Sequence, residues 1–136
     1  AGTDLAAVAR VARLATALGG RVTEMSPDDH DRVMAYVSHL PQLMASVLMQ
    51  TVGDAARNEG LRLAGRGLVD TTRLASSPAN VWRDICATNA DAIGHALDEA
   101  IGHLQDLRRA LDDGEVIDRV FGTAARWRAE LLRERE

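Results

Sequence analysis

The chain has 136 residues, of which sixteen are basic and twenty acidic, giving a net charge of −4. This length suits a single domain, and the absence of any basic block argues against a nucleic-acid partner. No apolar run approaches the roughly 20 residues that a transmembrane helix needs, so we expect no membrane partner. The lone cysteine, Cys86, excludes an internal disulfide and favours the reducing cytoplasm.

The first 25 residues have the pattern of a helix followed by a strand. Apolar residues recur at helical spacing over residues 4–18, with Thr3 as a candidate cap and Gly19 as a candidate end. Residues 21–25 alternate, which predicts a short strand. A lone strand has no ladder partner, so we expect residues 1–25 to be the end of an α/β domain whose other strands lie before residue 1.

A long helix is predicted next. Ser26 and Pro27 form a typical helix start, a capping hydroxyl followed by a proline at the first helical position. Apolar spacing then continues to at least Gln50. Pro41 lies inside this helix and cannot donate to the carbonyl of Val37, so we expect a kink there.

Three polar residues flank this proline on a helical wheel. Relative to His30, Ser38 lies at about 80° and Gln42 at about 120°, whereas His39 lies nearly opposite. His30, Ser38 and Gln42 are therefore predicted to form one substrate-facing polar strip. The alternative is a surface histidine beside Asp31 and a serine that bonds to its own backbone.

The segment after this helix is predicted to be a loop that ends at a candidate anion-binding residue. Glycines at 65 and 67 end the helical pattern, and Gly67 allows the backbone to approach a ligand or a neighbouring helix. Arg73 offers a planar, two-pronged match to a carboxylate. Asp70 is a candidate ion-pair partner for Arg73 in an empty site. The alternative role for Arg73 is a purely structural salt bridge.

The rest of the chain is predicted to be helical. Ser77 and Pro78 begin a helix that contains Trp82, whose large apolar body with a polar N–H suits a core or an interface. A longer helix ends near residues 112–114, and a final one contains Trp127. The histidines of the longer helix lack further ligands nearby, so we expect no metal site. The fold class is therefore mainly α, with about six helices and one strand.

Five short motifs occur in order along the chain, namely His30-Asp31, Ser38-His39-Leu40-Pro41, Gly65-Arg66-Gly67, Asp70-Thr71-Thr72-Arg73 and Trp82-Arg83-Asp84. At these intervals they resemble the C-terminal helical domain of prephenate dehydrogenase, from about Gly19 to Asn89 and more loosely to the end. The resemblance implies a helical dimerisation and substrate domain over residues 26–136. It also implies that residues 1–25 are the C-terminal part of a dinucleotide-binding domain.

The resemblance implies a function for the whole enzyme. Such enzymes oxidatively decarboxylate prephenate to 4-hydroxyphenylpyruvate in tyrosine biosynthesis, with NAD or NADP bound by an N-terminal domain that this chain lacks. Arg73 would grip the ring carboxylate, and Ser38, His30, Gln42, Gly67 and Trp82 would border the substrate. No catalytic residue is assigned here, and these residues alone are expected to be inactive.

Two other functions stay open. The family often has a second histidine after the proline, where this chain has Gln42, which cannot titrate near neutrality. A related dehydrogenase acting on arogenate or an amino-substituted prephenate is therefore one alternative. The other is a helical dimerisation or regulatory module without catalysis.

Overall fold

The computed structural model describes residues 3–134, and the described chain is a succession of helices joined by short connections. The helices are α1 (Leu5–Ala17), α2 (Pro27–Met34), a π turn (Ala35–His39), α3 (Leu40–Leu61), α4 (Arg66–Thr71), a 3-10 helix (Arg73–Ser76), α5 (Ala79–Thr88), α6 (Ala90–Arg109) and α7 (Gly114–Arg133). The predicted mainly α class is confirmed.

The first helix begins and ends through its own local hydrogen bonds. Asp4, not Thr3, is the cap, and its Oδ1 accepts from Ala6 N at 2.9 Å. Gly19 has a φ of 84°, a left-handed conformation that glycine adopts without steric cost. The predicted glycine end of α1 is therefore confirmed, and the predicted Thr3 cap is wrong.

The predicted strand at residues 21–25 does not form. The segment is irregular, and within residues 3–134 no strand is available to pair with it. Without a partner for its backbone groups, alternation of side chains is not enough to make a strand. Val22 instead faces α1 across an apolar groove of about 280 Å³ that Val8 and Val11 also line.

The start of α2 agrees with its sequence pattern. Ser26 Oγ accepts from Asp29 N at 3.1 Å, and Pro27 occupies the first helical position. Arg32 Nη2 donates to Asp29 Oδ1 at 2.9 Å. This bond, together with the Ser26 hydroxyl, lowers the pKa of Asp29 below its ordinary value. The local bonds therefore fix the first turn of the helix.

The interruption predicted at Pro41 takes the form of a π turn. Residues Ala35–His39 form this wider turn immediately before α3, and Leu40 N bonds to Ala35 O, five residues back. π turns are a recognised cause of helix kinks and often lie at functional sites. A second interruption lies at Arg57, whose φ of 50° and ψ of −165° are not helical.

The loop predicted for residues 65–73 is wrong. Residues 66–71 are α4, and Arg73 begins the 3-10 helix that follows. The hydroxyls of Thr71 and Thr72 donate to the carbonyls of Gly67 and Leu68, each at 2.7 Å. These bonds run back one helical turn, a geometry that requires the helical backbone where the glycines suggested a loop.

The small core lies between the π turn and α6. Ala35, Ile93 and Ala96 are buried, and their small or slender side chains allow the two elements to approach closely. Many large apolar side chains of α6 and α7 remain exposed, namely Ile101, Leu104, Val120, Phe121, Trp127, Leu131 and Leu132. No helix within residues 3–134 has the length and hydropathy to cross a bilayer.

Candidate functional site

Gln42 joins α3 to the segment that carries Arg73. Its side chain is buried, with 5% of the residue exposed. Nε2 donates to Leu74 O at 2.7 Å, and Oε1 accepts from Ser77 Oγ at 3.1 Å. Ser77 and Pro78 were predicted to begin the next helix. Pro78 occupies its cap position, and the Ser77 hydroxyl bonds to Gln42 instead.

Arg73 is exposed at the first position of the 3-10 helix, and no acid in the described part of the chain lies within ion-pair distance of it. The predicted pair with Asp70 is therefore not formed. Asp70 belongs to α4, and Thr72, which lies between Asp70 and Arg73, has a non-helical φ of −97° and ψ of 8°. The two residues thus do not share one continuous helical face, on which a spacing of three brings side chains together. An exposed guanidinium without an ion-pair partner is free to bind an anion from solution.

His30, Ser38 and Gln42 do not form one exposed strip. His30 and Ser38 are exposed, and Gln42 is buried. The wheel assumed an uninterrupted α-helix, but the π turn between His30 and Gln42 holds more residues per turn and rotates each by less. His30 Nδ1 lies 3.0 Å from Asp31 Oδ1, which is the surface pairing considered as its alternative. Contact of these residues with substrate stays a prediction.

Trp82 is half-buried and packs on His39. The two ring centroids lie 6.0 Å apart at 83°, an edge-to-face arrangement. Asn89 Nδ2 lies 3.3 Å from His39 Nδ1 and donates to Asp31 O at 2.9 Å. The contact between His39 and Asn89 is not predicted from the sequence, because the two residues are 50 positions apart and no spacing rule connects them.

Gly67 is exposed within α4, and a Cβ added there would meet nothing within 4 Å. No part of the described protein packs so closely against Gly67 that only a glycine would fit there. A substrate contact through its backbone stays a prediction.

Similarity to known proteins extends over most of the chain. The family described as prephenate dehydrogenase, dimerization domain, matches residues 26–122. A prephenate dehydrogenase of Bacillus subtilis is 35% identical over 130 residues, covering 93% of this chain and 35% of the relative. A cyclohexadienyl dehydrogenase of Zymomonas mobilis is 35% identical over 120 residues, covering 85% of this chain and 41% of the relative.

Solved structures show the same arrangement of helices. Prephenate dehydrogenase from A. aeolicus, in complex with hydroxyphenyl propionate and NAD+, superposes with a TM-score of 0.78 at 31% identity, covering 95% of this chain and 46% of that one. Synechocystis arogenate dehydrogenase has a TM-score of 0.79 at 22% identity, covering 95% and 49%, and shows a shared fold. The chain thus spans less than half the length of each of these proteins.

Proposed function

The chain belongs to the prephenate dehydrogenase dimerization-domain family, and from this we propose that it is the dimerising, substrate-binding part of such an enzyme. The reaction is oxidation of prephenate with loss of its ring carboxylate as CO2, which makes the ring aromatic and gives 4-hydroxyphenylpyruvate. The observation that carries a substrate role is the exposed guanidinium of Arg73, which no acid neutralises within residues 3–134. A reducing cytoplasmic location is part of the same proposal.

Within this proposal, the residues of this chain bind and orient the substrate. Arg73 holds the ring carboxylate through paired charge-assisted hydrogen bonds. His30, Ser38, Gly67 and Trp82 are proposed to lie along the rest of the substrate. We propose that residues 26–136 are the substrate and dimerisation domain and that residues 1–25 end the preceding domain.

A dinucleotide does not fit the residues present here. The glycines at 65 and 67 follow the helix α3, whereas a phosphate-binding glycine loop follows a strand and opens a helix. NAD or NADP therefore belongs, in this proposal, to residues outside this chain. The relative from A. aeolicus was solved with NAD+.

Arogenate is a second candidate substrate. Gln42 stands where the family often has a histidine, and the Synechocystis protein of the same fold is an arogenate dehydrogenase. Initial rates of NADH or NADPH formation by the full-length protein, with prephenate and with arogenate, decide between them. Failure to oxidise either substrate would favour the non-catalytic module.

We expect the 136-residue chain alone to bind no NAD. The reason is the missing phosphate loop, without which the pyrophosphate has no cradle of backbone N–H groups. Calorimetric titration with millimolar NAD should show no saturable heat. A micromolar dissociation constant would contradict the assignment of the cofactor to another domain.

We expect a homodimer built on the exposed apolar faces of α6 and α7. Monomers rarely expose apolar patches of this extent, and an obligate dimer of this kind buries more than ~2,000 Å² in total. Sedimentation of the 136-residue chain at micromolar concentration should give twice the mass of one monomer. Phe121, which is 67% exposed, is a suitable site for disruption, and Phe121→Glu should shift the protein towards monomer.

Leu63→Glu is the matched control for this dimer test, because Leu63 lies outside α6 and α7 and is 88% exposed. It should leave the dimer intact. A monomer in the unsubstituted protein, or equal loss of dimer in both variants, would contradict the assigned interface.

A further inference from the structure

The amide of Gln42 links α3 to both ends of the short helix that begins at Arg73. Its Nε2 bonds to the carbonyl of Leu74, the residue directly after Arg73, and its Oε1 bonds to Ser77, directly after the helix ends. Among residues 3–134, these are the side-chain hydrogen bonds that connect α3 to this segment. Because a carbonyl can only accept, the atom facing Leu74 must be the amide nitrogen.

The short helix has little to hold it in place by itself. It has four residues, and a 3-10 turn of this length is not stable in isolation. Its position must therefore come from tertiary contacts. Gln42 is buried and its bonds to Leu74 and Ser77 are partly buried. Loss of a partner in this setting leaves a polar group unsatisfied, so these bonds help to define the position of the turn.

The same bonds leave Gln42 few groups to offer a ligand. Both N–H groups face protein acceptors, Leu74 O and, at 3.4 Å, Ser46 Oγ, and Oε1 accepts from Ser77. A direct substrate contact would require these bonds to open. An effect on the substrate through the backbone that carries Arg73 requires no such change.

We propose that Gln42 is a positioning residue, which holds the backbone at Leu74 and Ser77 so that the adjacent Arg73 guanidinium is fixed for a substrate carboxylate. This rests on the proposed function, in which Arg73 is the carboxylate anchor. The ligand class is a carboxylate-bearing substrate, and Gln42 affects its binding only through Arg73.

A double-mutant cycle in the full-length enzyme tests the proposal, with KM and kcat measured for the substrate that the enzyme oxidises. Gln42→Met keeps the side-chain length but removes the hydrogen bonds, and it should raise KM about tenfold. In an Arg73→Ala background the same change should leave KM nearly unaltered, because the group being positioned is gone. Thr51→Ala is the control, since Thr51 lies on the same helix as Gln42 and its hydroxyl donates to the carbonyl of Val47, away from Gln42 and from the Arg73 segment.

The outcomes separate this inference from the proposed function. If Arg73→Ala raises KM and Gln42→Met does not, Gln42 is not a positioning residue, but the proposed role of Arg73 in binding the carboxylate is upheld. If Gln42→Met raises KM equally in both backgrounds, Gln42 acts without Arg73 and the inference is wrong. If Arg73→Ala leaves KM unchanged, the anchor itself is wrong and the inference falls with it.

Gln42→Glu provides a second readout if the methionine variant does not fold. A protonated glutamic acid can donate to Leu74 O and accept from Ser77, whereas the ionised form cannot donate. Burial raises the pKa of such a carboxyl, so the ratio of variant to parent KM should be near one at low pH and rise with pH. A ratio well above one at low pH, where the protonated glutamic acid can make both bonds, would overturn the proposal.

Discussion

Arg73→Ala in the full-length enzyme should lower kcat/KM by about thirty-fold to several thousand-fold, mainly through a higher KM. The range follows from the roughly 2–5 kcal/mol lost when one partner of a close charged pair is truncated. The fold itself should be unaffected, because Arg73 is exposed and has no ion pair within residues 3–134. Steady-state kinetics and a melting temperature on the same variant measure the two effects separately.

Arg73→Lys is the matched control for this prediction. It keeps the positive charge but loses the planar fork, so it should recover only part of the lost efficiency. A variant with a lower melting temperature and a normal KM would show that Arg73 is structural. That outcome would end its assignment as the substrate anchor.

Ile93→Ala should lower the free energy of unfolding by about 2–4 kcal/mol, because it deletes a buried branched side chain and leaves a cavity. Ile93 is 5% exposed and is the largest residue of the three that form the core between the π turn and α6. Its neighbours Ala35 and Ala96 have side chains of a single methyl group, which cannot move to fill the cavity. Such a loss is a large share of the stability of an ordinary domain.

Leu63→Ala is the control for the core prediction. It removes a similar volume at a position that is 88% exposed, and it should change stability by less than about 0.5 kcal/mol. Urea unfolding at one fixed protein concentration is the appropriate measurement, since the stability of a dimer depends on concentration. Equal losses in the two variants would show that the core does not centre on Ile93.

The sequence predicted the parts of the fold that depend on local chemistry. The capping serine and proline at Ser26 and Pro27, the left-handed Gly19 and the interruption near Pro41 follow from the preferences of single residues. Local patterns were misleading where an element needs a distant partner. Alternation at residues 21–25 could not make a strand without a neighbouring strand.

The candidate site was predicted less completely than the fold. A helical wheel placed Gln42 on a polar strip, but the π turn changes the rotation along the helix and Gln42 is buried. Its partners Leu74 and Ser77 lie 32 and 35 residues away in the chain. No periodicity in one sequence indicates such a contact, and the same is true of Asn89 beside His39. The chain has sixteen arginines with the same guanidinium chemistry, and Arg73 is singled out by the resemblance of Asp70-Thr71-Thr72-Arg73 to a motif of the family.

The π turn at Ala35–His39 lets the helix keep its direction on both sides although the chain there is one residue longer than an α turn needs. A turn closed five residues back contains one residue more than an α turn and takes up that residue within about one full rotation. Deleting one residue there should let the helix continue as α with the faces of α2 and α3 nearly unchanged. The Asp31 carbonyl would then still face Asn89, which now donates to it. Deleting one residue within α2 itself has no such compensation and would turn everything before it by about 100°.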